Sequence, residues 1–415
     1  LLATAAERHE QTVRELAYGS SLFHYFQDKN LAAITDIEVA RERGRLQDQS
    51  DDAELLLGGL YFDYGLTSSA STIFNDLLNE EISEDIRNRI WFNLARLHYE
   101  QNDDATSEQF FARITDTLPQ HKQAQKQHML SNLLLRRQQY QEAAEISEQI
   151  DGSSIWKAYS WHNLGVSLNA AGQPQQGNAW LTRLAQIETE DGELHYLQDK
   201  ALLALGINAL QLDNNDEAIH HFSRISLSGP LTNQALLGMG WAWSKKVQPQ
   251  QALSYWLALH DKAELDSASI EASLTIAYAM EQADNKTAAA RHYQRAGERF
   301  DKNLAELDAI IQFIQQGELL QALQELHIVR DSLGAGSRQQ LPRLSATPYL
   351  LELFSSKSFQ LEIKRYQDLL DIRASLSGWQ DSIPALQLML SERRQSFENK
   401  KPLLQQSTDL DQLQN

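Results

Sequence analysis

A small residue that recurs at a nearly regular interval is the feature that most constrains this chain. Successive occurrences lie 33 to 41 residues apart. In most copies an Ala or Gly follows twelve positions later, and a large apolar residue stands four positions beyond it. Two antiparallel helices approach closely only where one carries a small side chain, so the pattern predicts stacked helix pairs. The recurring positions are Gly58, Ala95, Ser131, Gly165, Gly206, Gly240, Ala277 and, less typically, Ile310.

The composition favours helix along the whole chain. The 415 residues include only 8 Pro and 19 Gly, which separate long stretches rich in Ala, Leu, Gln and Glu. Those residues are good helix formers, and no segment shows sustained alternation with β-branched residues. We therefore expect an all-α fold.

A period of about 34 residues, built as helix, turn and helix, is the signature of tetratricopeptide (TPR) repeats. On the residues named above, the chain resembles the TPR family over roughly residues 10–330. The resemblance implies a right-handed α-solenoid of about eight to nine TPR-like helix pairs with a C-terminal helical cap. A looser α-solenoid (HEAT-like or half-a-TPR) and an irregular helical domain are the alternative folds.

The end of the chain departs from the repeat pattern. Gly334 and Pro342 break helix, and no further copy of the pattern follows them. We expect a solenoid over residues 1–330, a loop or hinge over 331–348, a helical segment over 349–399 and a polar tail over 400–415.

Two helices are expected within the C-terminal helical segment, over residues 349–376 and 384–398. Trp379 and Pro384 mark a turn between them. The first helix has an amphipathic face, so the pair either caps the exposed apolar side of the last repeat or docks a partner.

Charge and cysteine content exclude several classes of function. Lys and Arg total 37 against 56 Asp and Glu, which gives a net charge of −19. Such a field repels phosphate backbones, so we expect no nucleic-acid partner. The chain has no Cys, which excludes disulfides, thiolate nucleophiles and Cys-ligated metals.

The location is predicted from weaker signals. No apolar run approaches the ~18 residues of a membrane span, so we expect no direct membrane span. The chain begins at Leu1 rather than Met, which indicates a processed or trimmed start. Because a cysteine-free chain suits an oxidising compartment, we expect a periplasmic or secreted protein of a bacterial cell envelope, with the cytoplasm as the alternative.

The motif search predicts a non-catalytic protein. The P-loop, dinucleotide-binding, H-E-x-x-H and G-x-S-x-G patterns are absent. The acidic run over residues 213–217 is too short for an EF-hand and is better explained as a polar turn. The adjacent His220 and His221 point about 100° apart on a helix, so they do not easily share a metal. We expect no metal and no cofactor.

The candidate partner-binding residues lie on the first helix of each pair, which lines the concave side of a solenoid. Four positions face inward: six and three residues before the small residue, and one and four after it. They combine aromatic rings, Arg and amides, a mixture that suits an extended peptide or a helix. The candidates are Phe62, Arg89, Phe92, Arg96, Tyr99, His128, Asn132, Tyr159, His162, Asn169, Trp241 and Tyr278.

We therefore expect an interaction scaffold that binds a protein or peptide partner in its concave groove. TPR proteins that bind chaperone tails hold a terminal carboxylate in a clamp of basic and Asn residues, and Arg89, Arg96, Asn132 and Asn169 resemble part of it. The basic residues that the clamp needs in the next repeats are missing, so we do not transfer that role. A solenoid subunit or fragment of a cell-wall lytic enzyme and a cytosolic peptide-sensing regulator are the alternatives.

Overall fold

The computed structural model describes residues 13–27, 29–115, 118–151, 155–260, 267–325, 350, 353 and 357–413. These residues contain helices and turns but no strand. The helices are α1 (Leu16–Phe26), α2 (Asn30–Glu42), α3 (Ser50–Asp63), α4 (Thr67–Leu78), α5 (Glu84–Glu100), α6 (Asp104–Ala112), α7 (Gln120–Arg136), α8 (Tyr140–Gln149), α9 (Ile155–Ala170), α10 (Pro174–Ala185), α11 (Gly192–Gln211), α12 (Asn215–Ser223), α13 (Thr232–Lys245), α14 (Pro249–His260), α15 (Ser267–Gln282), α16 (Lys286–Gln315), α17 (Glu318–Glu325) and α18 (Lys357–Leu413).

The helices pack in consecutive pairs. Each odd-numbered helix from α1 to α15 packs against the helix that follows it, and we call these the first and second helices of a pair. First helices of neighbouring pairs also touch, as α7 and α9 do, and α13 and α15. A stack in which each pair contacts mainly its neighbours is a TPR-like α-solenoid, so the predicted fold class is confirmed.

The recurring small residues lie where the two helices of a pair come closest. A Cβ atom on Gly58 would lie 2.5 Å from the Phe74 ring, and one on Gly165 would lie 2.7 Å from Leu181. In both pairs the large residue stands sixteen positions after the glycine and fills the space that the missing side chain leaves. The steric reason given for the repeat is therefore visible in the packing.

In the Ser131 copy, hydrogen bonds lie where the small and the large residue meet in the Gly58 and Gly165 copies. Ser131 Oγ lies 2.9 Å from Ser147 Oγ, and Ser147 Oγ donates to the Ala143 carbonyl at 2.7 Å. All three residues are buried. Two small hydroxyls replace the glycine and the large apolar residue, which explains why this copy is weak in sequence but regular in structure.

The turn inside each pair repeats in every copy. The residue seven positions after the small one has a positive φ in all eight copies. In the first seven copies the N–H of the following residue bonds to the carbonyl five residues before it, as Asn214 does to the Ala209 carbonyl at 2.8 Å. This is a left-handed helix cap, which glycine and asparagine adopt most easily. The left-handed residues at this position are Gly65, Asn102, Gln138, Gly172, Asp213, Val247, Asp284 and Gly317.

Two copies depart from the standard length. The 41-residue interval between Gly165 and Gly206 arises because α11, with 20 residues, is longer than the other first helices. Helix α16 has 30 residues and serves two repeats, since it begins as the partner of α15 and ends at the turn around Gly317. No Pro and no left-handed residue stands between its ends to divide it.

The C-terminal region differs from the prediction. The sequence predicts a turn at Trp379 and Pro384, but the single helix α18 passes through both. The predicted turn is wrong because no residue there adopts a left-handed conformation, and a Pro inside a helix interrupts the backbone hydrogen bonds only locally. The same helix includes most of the predicted polar tail over 400–415. The predicted loop over 331–348 lies outside the described residues.

The first turns of α18 pack on two separate parts of the solenoid. Ile363 is buried against Leu319 of α17, so this end of α18 covers apolar side chains of the last repeat. Arg365 Nη2 lies 2.9 Å from Glu100 Oε2 at the end of α5, and Ile372 packs on the core of the first pairs. Helix α18 therefore connects the beginning of the array with its end.

Candidate binding surface

A hydrogen-bonded ladder joins the first helices α5, α7 and α9. Asn132 Nδ2 donates to Tyr99 Oη, and Asn132 Oδ1 accepts from Asn163 Nδ2, both at 3.0 Å. His128 Nδ1 lies 2.9 Å from Ser160 Oγ, and its Nε2 lies 3.0 Å from Asn132 Nδ2. The amide of Asn132 is thus engaged on both sides. It holds neighbouring pairs in register and is not free to bind a peptide backbone.

The candidate rings Phe62 and Phe92 lie below the surface. Each side chain is 1% exposed, and each ring is covered by a cationic side chain from the next first helix. The Arg96 guanidinium lies 4.4 Å from the centre of the Phe62 ring, and Lys122 Nζ lies 5.6 Å from the centre of the Phe92 ring. The sequence places both rings on the inward face, but a partner would meet the cations instead.

The two candidate arginines are already paired with carboxylates. Arg89 Nη1 lies 3.5 Å from Asp52 Oδ1 on α3. Arg96 Nη2 lies 3.0 Å from Asp63 Oδ1, and its Nε lies 3.3 Å from Glu100 Oε1. All of these groups retain some exposure, so the pairs fix the arginines in place without closing them off from an incoming ligand.

Lys122 is the functional candidate that the sequence rule missed. It lies in the first turn of α7 and is half-buried, close enough to Arg89 and Arg96 to feel their charge. Among the described residues, no carboxylate lies within ion-pair distance of Nζ, whose contact is the Phe92 ring. Burial, together with the charges of Arg89 and Arg96, lowers the pKa of Lys122 to about 8, although the charges of Asp85 and Asp63 act in the opposite direction.

The position of Lys122 also opposes the helix dipole. The first turn of α7 contains no acidic residue, and its N-cap, Pro119, makes no side-chain hydrogen bond to it. A helix N-terminus favours anions, so a lysine there is unfavourable unless an anion joins it. Lys122 stands nine residues before Ser131, one turn earlier than the inward positions in the rule. The rule of four inward positions excludes Lys122 for that reason.

The candidates on α9 have fixed partners of their own. Tyr159 Oη donates to Glu193 on α11. Burial, together with the charge of Lys200, lowers the pKa of His162 to about 4, so the imidazole is neutral near pH 7. Asn169 Nδ2 donates to Asn178 Oδ1 at 3.4 Å. None of the three supplies a cation for an acidic ligand.

The last two candidates lie apart from the others, on α13 and α15. Trp241 Nε1 donates to Glu271 Oε1 at 2.8 Å, and the Trp241 ring lies 6.0 Å from the ring of Tyr278. Tyr278 is 37% exposed. The structure therefore brings together Phe62, Arg89, Phe92 and Arg96 on α3 and α5, forms an amide ladder from α5 to α9, and leaves a separate aromatic pair on α13 and α15.

Nowhere among the described residues do three or more His, Asp or Glu side chains gather in a way that could hold a metal ion. None of the described helices is both long enough and apolar enough to cross a membrane.

Comparisons with known proteins give only fold-level likeness. No protein-family model matches the chain, and no curated protein matches it. RapI in its apo form is 11% identical, with 86% of this chain and 98% of RapI covered and a TM-score of 0.49.

Two further solved structures are similar in the same way. A set of nearly identical TPR-like repeats from Podosopora anserina is 17% identical, with 46% of this chain and 100% of that chain covered and a TM-score of 0.36. Human IFIT1, solved as a dimer with m7Gppp-AAAA, is 14% identical, with 86% and 90% covered and a TM-score of 0.29. The family resemblance therefore rests on the geometry of this chain's own helix pairs.

Proposed function

We propose that this protein is a non-catalytic interaction scaffold that binds an acidic segment of a protein partner on the first-helix side of α3, α5 and α7. One observation carries the proposal: Lys122 is a half-buried cation without a carboxylate partner among the described residues. It lies beside two arginines that are fixed in place. We call the exposed polar atoms of Arg89, Arg96 and Lys122 the basic patch.

The physical argument concerns the cost of leaving Lys122 unpaired. A buried ammonium is costly unless an opposite charge accompanies it, and three cations close together repel one another. A carboxylate from a partner would remove both costs at once, with charge-assisted hydrogen bonds shorter and stronger than neutral ones. Asp52, Asp63 and Glu100 already accompany the two arginines, so Lys122 is the cation of this patch that a carboxylate from a partner would pair with.

The test is selection of random peptides on the full chain, followed by fluorescence anisotropy with the peptides recovered. We expect acidic peptides that bind more weakly as salt rises, because surface charges are screened. Lys122→Met should weaken binding by roughly tenfold or more, about the loss of one charge-assisted contact. Lys286→Met, which removes an exposed lysine elsewhere, is the matched control. Recovery of neutral peptides, or equal binding by the Lys122→Met protein, would contradict the proposal.

The cellular setting is a separate proposal. A periplasmic or secreted location in a bacterial envelope is supported by the cysteine-free sequence alone. Fractionation of cells that make the native protein decides it, and recovery in the cytoplasmic fraction would favour the peptide-sensing regulator instead. Turnover of peptidoglycan by the purified chain would establish the lytic enzyme alternative.

A further inference from the structure

The outer part of α18 leaves large apolar side chains in solvent. The helix is held to the solenoid by its first turns, through Arg365 and Ile363, but from Leu376 onward its described side chains are almost all exposed. Single exposed apolar residues are ordinary, whereas a continuous row along one helix marks a contact surface. The row comprises Leu369 at 40% exposed, Leu376 at 52%, Trp379 at 49%, Ile383 at 47%, Leu386 at 61%, Leu390 at 51% and Phe397 at 57%.

The spacing of this row is that of a coiled coil. From Leu369 through Ile372 to Leu390, the apolar positions alternate steps of three and four residues without a gap. An alternation of three and four has a mean period of 3.5, which keeps the row facing one partner helix only if the two helices supercoil. In heptad terms, Leu369, Leu376 and Ile383 occupy a positions, and Trp379 and Leu386 occupy d positions.

We propose that residues 376–390 of α18, beyond the point where Ile372 packs on the solenoid, pair with the same segment of a second copy of this chain in a two-stranded coiled coil. The residues that flank the row in its middle are Ser375, Gln380, Ser382 and Gln387, at the e and g positions. Charges at these positions set partner choice in coiled coils. Uncharged flanks neither repel an identical helix nor select an oppositely charged one, so an identical copy is the partner that they fit.

The buried area also fits a dimer. Each half-exposed apolar side chain of the row would lose ~100 Å² of accessible surface, so the five residues from Leu376 to Leu390 would bury on the order of 500 Å² per chain. That is below the ~800 Å² per partner of a standard interface and above the size of most crystal contacts. The pairing is therefore expected to be reversible and dependent on concentration.

Two residues define the limits of the paired segment. Arg393 occupies the next d position and would bring two guanidinium groups together in a parallel pair, so the strong part of the interface ends at Leu390. Pro384 occupies a b position, on the side of the helix that faces away from the row. Its ring therefore does not obstruct the partner helix.

The decisive experiment is sedimentation velocity on the full chain and on two matched variants. Leu386 and Leu388 are both 61% exposed and lie two residues apart, but only Leu386 belongs to the row. We expect a concentration-dependent dimer for the native chain and for Leu388→Asp, and a dissociation constant raised roughly 100-fold or more for Leu386→Asp, because its charge would be buried at a d position. Both sites are exposed in the single chain, so circular dichroism should show that both variants fold.

Cysteine cross-linking gives an independent measurement, since the native chain has no Cys. Under mild oxidation, Ile383→Cys should form a disulfide-linked dimer and Leu388→Cys should not. A native chain that stays monomeric at its highest attainable concentration would overturn the proposal, even if it captured a different helix. Equal weakening by Leu386→Asp and Leu388→Asp, or equal cross-linking at 383 and 388, would overturn it too, because the contact would then be non-specific.

Discussion

Replacing Lys122 by Met should make the protein more stable while it loses its proposed ligand. Methionine keeps the length of the side chain and its contact with the Phe92 ring but removes the charge. A lysine pKa held at about 8 instead of 10.5 corresponds to about 3 kcal/mol against the charged form in the folded protein. Because the ammonium is partly exposed, solvent screening reduces the expected gain to about 1–2 kcal/mol.

The gain should depend on pH with a definite sign. Below pH 8 the lysine carries its proton in both the folded and the unfolded chain, so the native protein bears the full cost of burying the charge. Between about pH 8 and 10.5 the folded lysine releases its proton while the unfolded one keeps it, and the native protein becomes more stable. The advantage of Lys122→Met is therefore largest below pH 8 and close to zero near pH 10.5.

Hydrogen exchange measured by mass spectrometry is the suitable assay, because a repeat array need not unfold in a single step. Peptides from α5 to α7 should exchange more slowly in Lys122→Met than in the native protein near pH 7, and urea unfolding at pH 7 and pH 10 should show the gain disappear. Lys286→Met should change neither measurement. A variant that is less stable than the native chain at pH 7, or whose gain persists at pH 10, would refute the reasoning.

Three further predictions concern the packing of the array. Gly58→Ala should destabilise the protein by ~1–3 kcal/mol, because the added Cβ would meet the buried Phe74 ring. On the same helix, the Cβ of Gly59→Ala would meet nothing within 4 Å, so this variant should stabilise the protein by up to ~1 kcal/mol. Chemical denaturation of both variants tests this, and a shared sign would count against it. Val247→Gly should stabilise by about 0.5–1 kcal/mol, because a β-branched residue is strained at φ 58°; a lower midpoint in the same assay would contradict this. Arg365→Ala should speed hydrogen exchange in residues 357–372 by releasing the contact with α5, and unchanged exchange there would show that the ion pair does not hold α18.

The sequence was sufficient for the architecture because the repeat is enforced by steric fit. Gly58 and Phe74 must meet where the two helices of the pair come closest, so the spacing of the small and the large residue can be recognised in the sequence. The left-handed turn residue is harder to predict from the sequence. Gly65 indicates this conformation, whereas Val247 adopts it only because the surrounding helices require it.

The binding surface was harder to read because inward position and exposure are different properties. Phe92 lies on the predicted face but is covered by Lys122, a residue one turn earlier on the next first helix. Asn132 faces inward as predicted, yet its amide is used between repeats. Such side-chain pairings depend on neighbours 30 or more residues away, which a position rule within one repeat does not include.

The 30-residue helix α16 changes how the end of the array can come apart. In a stack of separate pairs, the terminal unit can detach by itself, since it is joined to the rest by a short flexible connection. Here the last two units share the continuous helix α16 and have no flexible connection between them, so unfolding the last unit strains the one before it. Fraying from this end must therefore proceed in steps of two units at once.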